Sequence, residues 1–416
     1  MANRTAAEQR SSIADAPWLA APETRAVVAA LGAADVRFVG GAVRDTLLGQ
    51  PVTDVDLATP LEPPEVMRRL EAAGLKAVPT GLKHGTITAV ANHRPYEVTT
   101  LRHDVETHGR HATVAFTDDW AADAARRDFT INAIYANADG ALFDPTGGAA
   151  DLAAGRVRFI GDAATRIGED ALRILRFFRF HARFGRGAPD RAGLNACAAA
   201  VDLLDILSVE RIRDELLKIL GVADPVPTLA VMTEIGVVGH VLPEAADTAR
   251  LATLVAVETA LEQPDPLRRL VALLPDGARV VERVARRFKL SNAAIARACA
   301  MAADRPCPDV RTDAADLRRM LYRHGRQAVT DRAILLARPA HAAALTALLA
   351  TARDWTRPAF PVAGKHLKAR GMADGPDLGA CLKRLEERWV VSDFALDRAA
   401  LLALLDDDTH DDGEMP

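Results

Sequence analysis

Every β-rich run in this 416-residue chain falls before residue 150. From about Gly168 onward the apolar residues recur almost only at i, i+3 and i+4, the spacing of an amphipathic helix. That separation predicts an α+β protein, with one sheet-containing head and a long all-helical remainder. In the head, Val36–Gly40, Thr53–Ala58, Gly85–Ala91 and Pro95–Leu101 read as strands, and Ala42–Leu48 and Pro64–Ala73 as helices. Beyond it, Arg166–Phe184, Ser208–Leu220, Thr228–Val238 and Ala249–Leu261 read as helices, as do Pro266–Leu274, Arg279–Phe288, Ala314–Arg323 and Ala340–Ala352. A last element, Gly364–Phe394, has turns at Gly371 and Gly375-Pro376. We place a loose arm at 1–25, the head at 26–150 and helical segments at 151–222, 223–355 and 356–416.

Hydrophobic residues make up 49% and charged residues 26%, which excludes a disordered chain, a collagen-like repeat and a disulfide scaffold. Cys197, Cys299, Cys307 and Cys381 are widely spaced and give no metal signature, so free thiols are expected. The polar N-terminus lacks the apolar core of a signal peptide, and no apolar run reaches the ~18 residues of a membrane span. A cytoplasmic protein without membrane contact is expected. Net charge is −4, but residues 151–186 hold eight arginines against four acids. Asp406, Asp407, Asp408, Asp411, Asp412 and Glu414 form an acidic, solvated end.

The chemistry concentrates in Phe38-Val39-Gly40-Gly41-Ala42-Val43-Arg44-Asp45 and the subsequent Thr53-Asp54-Val55-Asp56-Leu57. A strand entering a helix through two glycines lets backbone N–H groups approach an anion. Gly-Gly alone is more often a tight turn, and a bare Asp-x-Asp a pair of exposed acids. Together they read differently. Two residues apart on an expected strand, Asp54 and Asp56 share a face, and their repulsion is relieved by a divalent cation, expected to be Mg²⁺. A phosphate cradle beside paired carboxylates is the equipment of phosphoryl or nucleotidyl transfer, in which two metal ions would activate a hydroxyl nucleophile and stabilise the leaving pyrophosphate. Glu97, on a later strand, is the candidate third carboxylate. Arg126 and Arg127 supply forked donors for a triphosphate, with Asp128 to orient them or meet the sugar.

Gly40-Gly41-Ala42-Val43-Arg44-Asp45 with Asp54-Val55-Asp56 resembles the first signature of the class II CCA-adding enzymes and bacterial poly(A) polymerases. Arg126-Arg127-Asp128-Phe129-Thr130-Ile131-Asn132-Ala133 is similar to the second. Asp144-Pro145-Thr146-Gly147-Gly148 to Asp151-Leu152, Glu169-Asp170-Ala171-Leu172-Arg173 and Ser208-Val209-Glu210-Arg211-Ile212 match three more, in order. The resemblance covers about residues 30–220. It implies a polymerase-β-like nucleotidyltransferase head with a small mixed sheet, then an all-α neck, body and tail. It implies a template-independent enzyme that adds C, C and A to a tRNA 3′ end from CTP and ATP. Poly(A) addition and partial CC- or A-addition are the alternatives within the family, and a non-catalytic RNA-binding protein the alternative outside it.

The resemblance also implies site residues. Asp54 and Asp56 hold metal with Glu97 beside them; Gly40, Gly41, Arg44, Arg126, Arg127, Asp128, Asn132, Asp170, Arg173, Arg176 and Arg179 bind nucleotide. Asp170 and Arg173, three apart on an expected helix, share a face. Cytosine and adenine both present an amino donor beside a ring-nitrogen acceptor, so a carboxylate and a guanidinium together accept them and reject uracil and guanine. Glu169 orients Arg173 or caps the helix, and Glu210, Arg211 and Arg213 brace it. Arg176, Arg179 and Arg183 are expected along an RNA path. The stretch Thr100–Phe116, with His103, His108 and His111, resembles a mobile loop that in the family helps switch from C to A. His240, His324, His341, His366 and His410 are scattered, so no phosphohydrolase centre is expected.

Overall fold

The computed structural model describes residues 12–408 apart from 109, 110, 247 and 310, with the backbone alone described at 104–114 and 406–408. The acidic end beyond Asp408 and His410 therefore lie outside the described residues, as do the His108 and His111 side chains. The chain divides into two units, one up to Pro243 and one from Glu244.

In the first unit, α1 (Pro17–Ala20) and α2 (Pro22–Leu31) precede β1 (Arg37–Val39), α3 (Gly41–Leu47) and β2 (Asp56–Thr59). Then come α4 (Pro63–Ala72), β3 (Lys76–Gly81), β4 (Thr86–Ala91) and β5 (Arg94–Thr100). The hairpin β6 (Arg102–His108) and β7 (His111–Phe116) leads to α5 (Trp120–Ala125), β8 (Tyr135–Ala136) and β9 (Leu142–Phe143). Seven strands form one sheet in the order β3-β4-β5-β2-β1-β8-β9, and β6–β7 pair apart from it. Within the larger sheet β2 and β5 run parallel, which sets Asp56 beside Glu97; the other pairings are antiparallel. Val39, Ala58, Leu101, Ala124, Tyr135 and Ile160 make the core on one side.

The neck helices are α6 (Gly148–Ala154), α7 (Ala163–Glu169), α8 (Leu172–Phe184), α9 (Arg191–Ala199), α10 (Val209–Leu220), α11 (Val226–Glu234) and α12 (Val237–Val241). The single helix expected over Arg166–Phe184 is two. Asp170 is extended (φ −154°, ψ 104°), and its carboxylate accepts the Leu172 amide at 3.1 Å, so it ends α7 and caps α8. The helix expected over Thr228–Val238 also divides, at Gly236, whose φ of +87° suits glycine.

Two other expectations fail. The loose arm is, from Ser12 onward, part of the head. The Ser12 hydroxyl and the Ile13 amide both donate to the Gly140 carbonyl, and Ile13 is fully buried. Trp18 meets Phe38 edge-on at 4.9 Å and donates its indole N–H to Thr46 at 2.8 Å. The expected loop Thr100–Phe116 is the β6–β7 hairpin, whose polar sequence hides its strand character.

The second unit is helical: α13 (Ala249–Leu261), α14 (Pro266–Leu273), α15 (Ala278–Arg287), α16 (Asn292–Ala302), α17 (Ala314–His324), α18 (Arg326–Leu336), α19 (Ala342–Asp354), α20 (Gly364–Lys368), α21 (Pro376–Val391) and α22 (Arg398–Asp408). Buried Glu258 accepts from Arg268 and Arg269 at 2.7 and 2.6 Å, and buried Asp331 from Arg268 and Arg297 at 2.9 and 2.7 Å. These bonds tie α13, α14, α16 and α18 together with each charge answered. Tyr322, Leu385, Trp389 and Val390 centre a second cluster.

Trp18→Ala removes a buried aromatic and should destabilise the head by about 3–5 kcal/mol. Denaturant unfolding checks it: an unchanged midpoint would mean the segment before residue 25 is not part of the packed head.

Candidate active site

The chain leaves β1 at Gly40 with φ +72°, a conformation that L side chains rarely adopt. A Cβ at Gly40 would meet nothing within 4 Å, so conformation rather than space requires this glycine. One turn into α3, the buried Arg44 donates to Asn132 Oδ1 at 2.6 Å and to Asp45 at 2.9 Å. Asn132 Nδ2 donates to Asp128 Oδ1 at 3.0 Å. Asp128 Oδ2 receives Arg176 through Nε and Nη2 at 2.8 and 2.5 Å. Burial works to raise the Asp128 carboxyl, but the Arg176 charge and the hydrogen bonds from Asn132, Arg176 and the Phe129 amide hold it below the usual range. Asp128 thus orients Arg176, not the adjacent Arg126 and Arg127.

Arg126 and Arg127 are held by Asp123, a buried α5 carboxylate absent from the residues expected at the site. Asp123 accepts from Arg126 Nε at 2.8 Å, Arg127 Nη2 at 3.1 Å and the Tyr135 hydroxyl at 2.7 Å. A carboxylate three and four residues before an Arg-Arg pair, on a short helix that ends just ahead of the pair, was the available signal.

Asp170 and Arg173 do not pair with each other. Asp170 Oδ2 accepts Arg211 Nη2 from α10 at 2.6 Å, whereas Arg173 Nη1 is bonded to Glu169 and to the Arg166 carbonyl, the latter at 2.7 Å. The break before α8 puts the two on different local backbones, each held by a separate partner.

Of the expected nucleotide-binding residues, all but Arg179 line one cleft of about 390 Å³, with Phe180 as an added wall. A larger hollow of about 610 Å³, lined by Trp18, Thr46 and Gln50, contains none of them. Arg179 instead forms an ion pair with Glu215 of α10 at 2.7 Å and stacks 4.3 Å from the centre of Phe180. Arg183 reaches Asp45 at 3.3 Å. Arg179 thus joins two neck helices and Arg183 joins the neck to α3.

Strand β2 begins at Asp56, so Asp54 lies exposed just ahead of it and is not on the strand. Burial, then the charges of Glu97 and Asp54, push the Asp56 carboxyl up to about 6, against the pull of Arg127. The three acids do not form a ready-made ligand group: among the described residues no three His, Cys, Asp or Glu side chains come together to hold a metal. Glu97 contributes charge beside Asp56 through the parallel register. A half-buried carboxylate whose charge is disfavoured by burial and by two acidic neighbours is relieved by a divalent cation, for which carboxylate oxygens are suitable donors.

Residues 36–158 match the family described as the poly A polymerase head domain, and residues 190–248 the probable RNA and SrmB-binding site of polymerase A. Mouse CCA tRNA nucleotidyltransferase 1, mitochondrial, is 36% identical over 386 residues, covering 89% of this chain and 86% of its own. The CCA-adding enzyme of Geobacillus stearothermophilus is 40% identical over 205 residues, 49% of each chain. The Bacillus stearothermophilus CCA-adding enzyme solved in complex with CTP has a TM-score of 0.77 at 29% identity, covering 93% of this chain and 97% of that one.

The raised Asp56 carboxyl has a thermodynamic consequence. The folded state holds the proton more tightly than the unfolded state, so this contribution is fully present below about pH 4 and is lost as pH rises through about 6. At pH 7.5 Asp56→Asn should therefore stabilise the metal-free protein by about 1–3 kcal/mol while abolishing transfer, and the gain should shrink at pH 4.5. Unfolding midpoints at both pH values check this, and no gain at pH 7.5 would contradict the assigned strain.

Proposed function

Because the chain belongs to the family of CCA-adding tRNA nucleotidyltransferases, we propose that the cleft between Gly40 and Phe180 binds CTP and ATP in turn and transfers their nucleotides to a tRNA 3′ end without a nucleic-acid template. The observation that carries this reading is the convergence in one cleft of Asp170 and Arg173, the base-reading pair, with Arg126, Arg127 and Arg176, the phosphate-reading set.

Arg126, Arg127 and Arg176 meet the triphosphate, and the Gly40-Gly41 turn admits it without side-chain obstruction. Arg44, anchored through Asn132, fixes the helix after the turn. Asp170 accepts the exocyclic amino group of cytosine or adenine, and the Arg173 guanidinium donates to the adjacent ring nitrogen. Arg211 and Glu169 hold those two side chains at a set separation, so one pair serves both bases. The tRNA 3′ hydroxyl attacks the α-phosphate and pyrophosphate leaves. Asp54 and Asp56 would hold the divalent cation, for which we propose Mg²⁺, with Glu97 adding charge. When bound, that cation lowers the pKa of the attacking hydroxyl and neutralises charge on the leaving group. The helical remainder is assigned to tRNA, gripped by shape and backbone charge. The cytoplasm is the proposed compartment, supported by the four free cysteines. No helix among the described residues is long and apolar enough to cross a membrane.

The test uses a tRNA transcript lacking its 3′ CCA, with Mg²⁺ and CTP, ATP or both, read as product length on a gel. The expected result is two additions with CTP and a third only when ATP is also present. A long ladder with ATP alone would mean poly(A) addition, and a stop after CC with both nucleotides a partial enzyme. Asp54→Ala should eliminate product and leave tRNA binding within about twofold; equal loss of both would argue against its metal role.

A further inference from the structure

Asp123 stands at the junction of three structures: the Arg126–Arg127 pair, the Tyr135 hydroxyl and the first residue of the β6–β7 hairpin. Its side chain is 1% exposed. Oδ1 accepts Arg126 Nε at 2.8 Å and the Arg102 amide at 3.3 Å. Oδ2 accepts the Tyr135 hydroxyl at 2.7 Å, Arg127 Nη2 at 3.1 Å and Arg127 Nε at 3.3 Å. A carboxylate has about four acceptor positions, so these donors saturate it. Arg127 Nε also donates to the Tyr135 hydroxyl at 3.0 Å.

The choice of donor atoms matters. Asp123 grips Arg126 through Nε and Arg127 through Nε and Nη2. Arg126 keeps both terminal nitrogens, and Arg127 keeps Nη1, without a hydrogen-bond partner among the described residues. Both arginines line the cleft. Two neighbouring guanidinium groups repel each other, and one shared, ionised carboxylate offsets that repulsion before any substrate arrives. Burial works to raise the Asp123 carboxyl, but the charges of Arg127 and Arg126 outweigh it and keep it below the usual range.

We propose that Asp123 is a positioning residue for nucleotide transfer: it fixes Arg126 and Arg127 as one rigid phosphate-binding pair and ties that pair to the root of the β6–β7 hairpin through the Arg102 amide. This rests on the reading of the cleft as the nucleotide site. The triphosphate is common to CTP and ATP, and pyrophosphate is the portion that leaves. A loosened pair therefore weakens all three by one factor and leaves base choice and tRNA affinity alone.

Asp123→Asn keeps the shape and removes the charge. KM for CTP, KM for ATP and the inhibition constant of pyrophosphate should rise together by roughly 10- to 100-fold, the scale of a charge-assisted hydrogen bond. The tRNA dissociation constant and the preference for CTP over UTP should stay within about twofold. Tyr135→Phe deletes one bond to the same carboxylate and leaves its charge; it should move the same three constants in the same direction by less, and it carries the test if Asp123→Asn does not fold. Unchanged constants in a folded variant would overturn the proposal. So would a change for one nucleotide only, or equal losses in tRNA binding and base preference. Absence of tRNA extension by the unaltered protein would overturn the reading of the cleft, a separate result.

Discussion

The Asp128 carboxylate is the interaction on which the head and neck both depend. Buried and ionised, it would be costly if any of its partners were missing, because an uncompensated buried charge is penalised by several kcal/mol. Its hydrogen-bond partners come from two places, and one of them links to a third. The Phe129 amide and Asn132 belong to the segment before β8, Arg176 belongs to α8, and Asn132 passes the connection on to Arg44 of α3. One charge thus sets the glycine turn, the Arg-Arg-Asp segment and α8 relative to one another. Removing any of its partners leaves a buried charge exposed to the desolvation penalty, so the arrangement is held as a unit.

The arginines rest on a bed of aromatic rings. The chain has twelve phenylalanines, and seven of them lie from Phe129 to Phe184. Phe129, Phe159, Phe177 and Phe180 pack within 4.8–6.3 Å of one another. Arg176 and Arg179 lie over Phe180, and Arg44 and Arg183 over Phe184, at 4.3–5.3 Å between each guanidinium and ring centre. Rings fix the planes of the guanidinium groups from the face, while acidic partners hold their edges. A protein with few aromatic residues has placed more than half of its phenylalanines in the segment that carries these arginines.

The sequence revealed what is local. The glycine turn at Gly40, the strands around Asp56 and Glu97 and most helices arise from turn chemistry and periodicity, which act over a few residues. The residues that line the cleft were also nameable from their order along the chain, Arg179 excepted. What escaped was mediated by distant partners. Asp123 is silent in a pattern of apolar residues. Asp170 ends a helix through its own side chain, while the apolar spacing runs on across the break. The partners of Arg179 and Arg183 lie on other elements, beyond the reach of charge counting. Strands β6 and β7 are polar and obey no alternation that marks a core face. In the Glu258–Arg268–Asp331 network, Arg268 and Asp331 sit 63 positions apart, beyond any local signal.

The central claim is that the protein, without a nucleic-acid partner, carries the information for choosing C and A. The most direct measurement is calorimetric binding of each of the four ribonucleoside triphosphates to the protein with Mg²⁺ and no tRNA. CTP and ATP are expected to bind with similar affinity, and UTP and GTP at least about tenfold more weakly, the scale of one bidentate base contact. Equal affinity for all four would contradict the claim and move the selection out of Asp170 and Arg173 and into the tRNA.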